Sequence, residues 1–167
     1  VLGIAIGRGA KGALAIGPNS SAPNNIESMA IGRVASATAL GPSIAIGIRS
    51  QAQSDNDVSL GIDSISSGSK SLSLGYNVTS SGVSAITLGS YLTASSTNSI
   101  AIGIGTSEAS RLINSIASSL VVGFSSTPTL FVNGSSVGIG TTTPGYQLQL
   151  TNGGSWSGIN AGSSTFS

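Results

Sequence analysis

Residues 73–89, SLGYNVTSSGVSAITLG, contain the same four-residue unit twice. Leu74-Gly75 returns as Leu88-Gly89, fourteen residues later, each time after a small polar residue (Ser73, Thr87) and a bulky apolar one (Leu72, Ile86). The stretch between carries no charge and no apolar stripe at helical spacing. Reading outward in both directions, the unit recurs. Its copies are Ile4-Ala5-Ile6-Gly7, Leu14-Ala15-Ile16-Gly17, Met29-Ala30-Ile31-Gly32, Ile44-Ala45-Ile46-Gly47, Val58-Ser59-Leu60-Gly61 and Ile100-Ala101-Ile102-Gly103, besides the two quoted. Successive glycines are separated by 10, 15, 15, 14, 14, 14 and 14 residues.

A fourteen-residue period is too short for a helical hairpin and suits one coil of a β-solenoid. Within the unit, apolar–small–apolar has period two, which makes it a short strand with two large side chains on one face. The glycine then ends the strand where the chain turns. Five residues on, most coils carry another small residue (Ala37, Ala52, Ser66, Ser80, Ala94), which marks a return strand. The spacing therefore predicts an all-β chain of stacked coils about 4.8 Å apart.

Two expectations follow about packing. The bulky pairs Ile44/Ile46, Val58/Leu60, Leu72/Leu74, Ile86/Leu88 and Ile100/Ile102 are expected as two stacks inside the coil. The small column between them, Ala45, Ser59, Ser73, Thr87 and Ala101, is never bulky and never charged. It is expected to face another copy of the chain at close range, because so thin a coil buries little surface alone.

Composition fits a stack of such coils. Charged residues make up 7% of the 167, against about 25% in a typical globular domain. Ser and Gly together make up roughly a third, yet Ile and Leu recur in an order that disordered tracts lack. The net charge of +1 gives no field favouring nucleic acid or anionic lipid. No apolar run is long enough to insert in a membrane. The opening VLGIAIGRG has no signal-peptide layout and reads as the interior of a repeat. Cysteine is absent, so neither disulfides nor thiolate metal sites enter the reading.

Units such as NSIAIGIGTSEAS (98–110) and PSIAIGIRSQAQS (42–54) resemble the head repeats of trimeric autotransporter adhesins, the YadA-like family. The resemblance covers residues 3–110. It implies a left-handed parallel β-roll in which three chains pack side by side, on the outer surface of a bacterium. The short 7-to-17 interval and Pro18, Pro23 and Pro42 depart from the pattern and imply irregular turns. The chain thus divides into a repeat head, 1–110, and an irregular connector with a hairpin segment, 111–167. In the second part, 129–140 shows two apolar runs about Asn133-Gly134, a hairpin signal, and Tyr146 to Leu150 alternates like a strand. LFVNGSSVGIGTTTPGYQLQL is similar to the stretch preceding the C-terminal chaperone of phage tail fibres, which again implies a homotrimeric fibre.

No catalytic, cofactor or metal site is expected. Histidine is absent, the serines sit in no nucleophile elbow, and Asp55-Asn56-Asp57 lacks the Gly and Glu of a calcium loop and reads as a solvated turn. An ice-binding solenoid would need an unbroken Thr rank, whereas Thr38, Thr79, Thr87, Thr93 and Thr106 are scattered. A polysaccharide depolymerase would need paired carboxylates in a groove. The expected function is attachment to a cell-surface glycan or protein receptor, with a plain spacer as the alternative. The candidate receptor-facing residues lie just past the repeat glycines: Arg49, Asp63, Asn77 and Tyr91 as one ladder, with Tyr76 beside it. Arg49 over Asp63 is expected to be an exposed opposite-charge pair.

Overall fold

The computed structural model describes residues 4–6, 11–23 and 27–150, and all regular structure among them is β. Two stacks of parallel strands alternate along the chain. One holds β1 (Ile4–Ile6), β3 (Leu14–Ile16), β5 (Met29–Ile31), β7 (Ile44–Ile46), β9 (Val58–Ile62), β11 (Leu72–Tyr76), β13 (Ile86–Ser90), β15 (Ile100–Ile104) and β17 (Ser119–Gly123). The other holds β2 (Lys11–Gly12), β4 (Ser21–Ala22), β6 (Ser36–Ala37), β8 (Gln51–Ala52), β10 (Ile65–Ser66), β12 (Thr79–Ser80), β14 (Leu92–Ala94) and β16 (Leu112–Asn114). The chain is a parallel β-solenoid.

Register follows the repeat. Leu72, Ser73, Leu74 and Gly75 pair with Val58, Ser59, Leu60 and Gly61 on one side and with Ile86, Thr87, Leu88 and Gly89 on the other. The roll also passes residue 110 with a further coil, because Gly123 pairs with Gly103 across a twenty-residue interval. The unit Leu120-Val121-Val122-Gly123 is a ninth copy with an enlarged middle residue. The first sheet then continues through β18 (Leu130–Asn133), antiparallel to β17, β19 (Ser136–Ile139) and β20 (Leu148–Leu150). β18 and β19 form a hairpin closed by Gly134 and Ser135, with Gly134 at φ 54°. Residues 151–167 of the expected 111–167 segment lie outside the described residues.

The inside and outside of the coil are reversed from the sequence expectation. Ala45, Ser59, Ser73, Thr87 and Ala101 are 0% exposed within a single chain, facing the second sheet. They form the coil interior and are not available to another copy. The bulky residues beside them point outward: Leu74, Leu88 and Ile46 are 39%, 44% and 36% exposed. The physical reason is the thinness of the coil. Ala37, Ala52, Ser66, Ser80 and Ala94 come from the opposite sheet, also at 0% exposure, and little room for branched chains remains between the two.

A narrow interior favours hydroxyls that bond across it. Ser73 Oγ donates to the Ile65 carbonyl at 2.7 Å, and Ser80 Oγ donates to the Leu72 carbonyl at 2.8 Å. Ser59 and Ser64 share a hydrogen bond of 2.8 Å, and Ser80 and Thr87 one of 3.0 Å. Among the described residues no buried side-chain polar atom lacks a partner, so these serines avoid the desolvation cost of unpaired groups. Toward the end of the roll the interior becomes apolar. Val78, Leu92, Leu112 and Val121 cluster there, and Phe131 of the hairpin closes the cluster at 1% exposure.

The repeat glycine is fixed by two constraints at once. Gly75 sits at φ 144°, and a Cβ there would lie 1.8 Å from the Gly89 carbonyl oxygen of the next coil. Both the conformation and the stacking distance exclude a side chain.

The inverted packing predicts opposite responses to size. Ala45→Leu overpacks the interior and should cost about 1–3 kcal/mol or more in urea denaturation. At protein concentrations too low for association, Leu74→Ala should cost less than Ala45→Leu, because Leu74 is part-exposed in the single chain. The reverse order would place the bulky column inside.

Candidate binding surface

Two residues past the repeat glycines from Gly17 to Gly89, the chain turns through the left-handed region. Arg49, Asp63, Asn77 and Tyr91 occupy this corner at φ 55°, 54°, 51° and 53°. Asn and Asp tolerate such φ values locally, whereas Arg and Tyr do so only where the surroundings hold them. The hold is a backbone ladder: the amides of Asp63, Asn77 and Tyr91 donate to the carbonyls of Ile48, Ile62 and Tyr76 at 3.0, 2.9 and 3.0 Å. The four candidate residues are therefore stacked rung upon rung along one edge.

Arg49 and Asp63 form a bidentate pair, Nε to Oδ1 and Nη2 to Oδ2, both at 2.5 Å. The hydrogen bond from Arg49 holds the Asp63 carboxyl below its ordinary range, and the same bond raises the guanidinium. Higher up, Tyr76 and Tyr91 meet edge to face with ring centroids 5.3 Å apart. Their rings are thus engaged with each other.

Arg111 was not singled out by the sequence. It lies at the end of the enlarged coil between Gly103 and Gly123, where Ser107 and Ser110 form an isolated bridge. Its guanidinium reaches back across two coils. Nη1 donates to the carbonyls of Asn77 at 2.8 Å and Leu92 at 3.2 Å, and Nη2 donates to Asn77 Oδ1. Glu108 stands 3.9 Å from Arg111, and its side chain is 79% exposed. The signal that could have found this loop is the six extra residues before the ninth repeat unit, which carry an acid and a base three residues apart.

Beneath the loop runs a groove of about 330 Å³. The Arg49–Asp63 pair, Asn77, Glu108 and Arg111 line it together with Gln51 and Ile65 of the second sheet, and Asn77 and Arg111 are bonded to each other. Tyr76 and Tyr91 lie outside its lining.

Asp57, read as part of a solvated turn, is instead fully buried. It accepts hydrogen bonds from the Ser71 amide and hydroxyl and from the Ser54 amide, all at 2.9 Å. Its place in the coil is taken in neighbouring coils by Ser43, Ser71 and Ser99, which are buried too. Asp55 faces outward and accepts the Gly41 amide at 2.6 Å. Among the described residues no cluster of three or more His, Cys, Asp or Glu is present.

Comparisons with known protein families, curated proteins and solved structures find no match to this chain.

Burial is the largest influence on Asp57 and raises its carboxyl above the ordinary value, against the three donors that lower it. The folded state then binds the proton more tightly than the unfolded chain does. Stability from this group is fullest below about pH 4 and declines as pH rises through the folded value. Asp57→Ser, which copies the neighbouring coils, should flatten that decline when unfolding is followed by denaturant titration across pH. An unchanged slope would place its origin elsewhere.

Proposed function

We propose that this chain is part of a non-catalytic, homotrimeric extracellular fibre that attaches to a cell surface or receptor, as a bacterial adhesin or a phage tail fibre does. The observation that carries the reading is the outward face of the first sheet. Two columns of bulky residues run its length without a charge, one through Leu14, Met29, Ile44, Val58, Leu72, Ile86 and Ile100, the other through Ile16, Ile31, Ile46, Leu60, Leu74, Leu88 and Ile102. Ile62, Tyr76 and Ile104, at 40%, 43% and 50% exposure, widen it in places, with Ser90 and Arg33 at the equivalent position of other coils.

Nine strands at about 4.8 Å spacing and about 10 Å of apolar width give roughly 430 Å². That matches the largest patches found on monomers, which are often functional, and is roughly half of the about 800 Å² per partner in a stable interface. The occupant that matches such a flat, uncharged, rod-long face is the same face of further copies. Three copies around an axis bury all three faces against one another, and the resemblance to adhesin head repeats and tail-fibre segments supports that number. The seam is therefore the bulky column, with the small column inside each roll.

Attachment is favoured over a plain spacer by one feature. The enlarged coil with Glu108 and Arg111 interrupts the roll at its exposed edge, where a spacer has no use for a groove. Sedimentation equilibrium should give a particle near three times 16.2 kDa. Leu74→Arg with Leu88→Arg should give a folded monomer, because two uncompensated charges would be buried in the seam. A monomer for the unaltered chain at high concentration would refute the trimer.

A further inference from the structure

We infer that the groove beneath the enlarged coil is a binding site for an uncharged, hydroxyl-rich saccharide. The assignment deepens the attachment reading and rests on it, but not on the trimer, since every group of the groove belongs to one chain.

The first argument is charge balance. Arg49 and Arg111 face Asp63 and Glu108, so the groove holds two cations and two carboxylates. Asp63 is already matched by Arg49, and the Arg111 guanidinium is directed to the carbonyls of Asn77 and Leu92. An anionic ligand would meet Asp63 and Glu108 at close range, and a cationic one would meet the two guanidiniums. A neutral ligand meets neither penalty.

The second argument is chemistry. Arg49 and Asp63 are bonded to each other and Asn77 Oδ1 accepts from Arg111, which leaves the side-chain N–H groups of Gln51 and Asn77 and the exposed Glu108 carboxylate to meet the hydroxyls of a ligand. The Gln51 side chain is oriented by Gln53, whose amide donates to Gln51 Oε1 at 2.7 Å. Ile65, half-buried beside it, supplies an apolar floor for the C–H face of a ring. A site built this way exchanges hydroxyl–water bonds for hydroxyl–protein bonds over a small apolar contact.

The third argument is preorganisation. Arg111 ties the loop to two earlier coils, so the wall bearing Glu108 stands on a fixed base before any ligand arrives. Gln51 and Ile65 belong to the second sheet, away from the apolar face of the first.

The test is a printed array of neutral, sialylated and uronate-bearing oligosaccharides, probed with the labelled unaltered chain. Neutral oligosaccharides should be retained. Gln51→Ala with Glu108→Ala should weaken retention at least about ten-fold, with the sedimentation mass unchanged. Val83→Ala, at an exposed residue outside both the groove and the outward columns, should leave it within about two-fold. Retention of acidic glycans alone, equal binding by the Gln51/Glu108 variant, or no retention of a trimeric chain would each overturn the site. If the chain proves monomeric, the same array is run with it biotinylated and clustered on streptavidin. Binding there would uphold the groove while the trimer fell, and no binding would overturn the groove as well.

Discussion

The separation between the two sheets is the constraint on which the rest of this molecule depends. One coil turns back on itself within about fourteen residues, so its strands are short and the space between them admits side chains the size of Ala, Ser or Thr. Everything larger must leave the interior or collect at its end. Ser73, Ser80 and Thr87 fill the thin part: the two serines donate to backbone carbonyls across it, and the Thr87 hydroxyl bonds to that of Ser80. Val78, Leu92, Leu112 and Phe131 gather where the roll is closed by the hairpin. A soluble domain of ordinary thickness would place its leucines in the middle and its serines on the surface. Here the arrangement is turned inside out.

That inversion moves the hydrophobic driving force from within the chain to its outside. The interior, made of methyls and hydroxyls, gives order and satisfied hydrogen bonds, but modest burial of large apolar groups. The bulky columns of the first sheet retain their unburied surface until another body covers them. Among the described residues the strands are laddered coil to coil within the single chain. The association proposed above would add apolar burial to a fold whose register is set independently of it.

The repeat was legible from the sequence because register and period share one cause. Stacked coils must return the same residue to the same rung, so Gly61, Gly75 and Gly89 mark the period directly. The edge ladder was legible for the same reason: Arg49, Asp63, Asn77 and Tyr91 are equivalent positions and so must stack. What period-two alternation does not contain is its sign. It separates Leu72 and Leu74 from Ser73 without saying which side is inward, and the usual equation of bulky with buried chose the wrong one. Volume decides the matter, since two facing columns of Ala and Ser are compatible with a coil this short and two facing columns of Leu are not. The Arg111 contacts were hidden differently. They join residues 34 apart in the chain through an enlarged coil, and periodicity is silent wherever the period breaks.

The break is also where selectivity can reside. A perfect repeat presents identical surroundings at each rung, so a ligand would find many equal registers and no preferred one. Between β7 and β15 the edge changes from an ion pair to an amide to an aromatic pair, and the enlarged coil adjoins one stretch of it. A single position along the rod thereby acquires surroundings found nowhere else among the described residues. The regular coils set the direction and spacing of the groups, and the irregular one selects which of them form a site. Regularity that fixes register and irregularity that breaks equivalence are both needed before a rod of stacked strands can distinguish one partner from another.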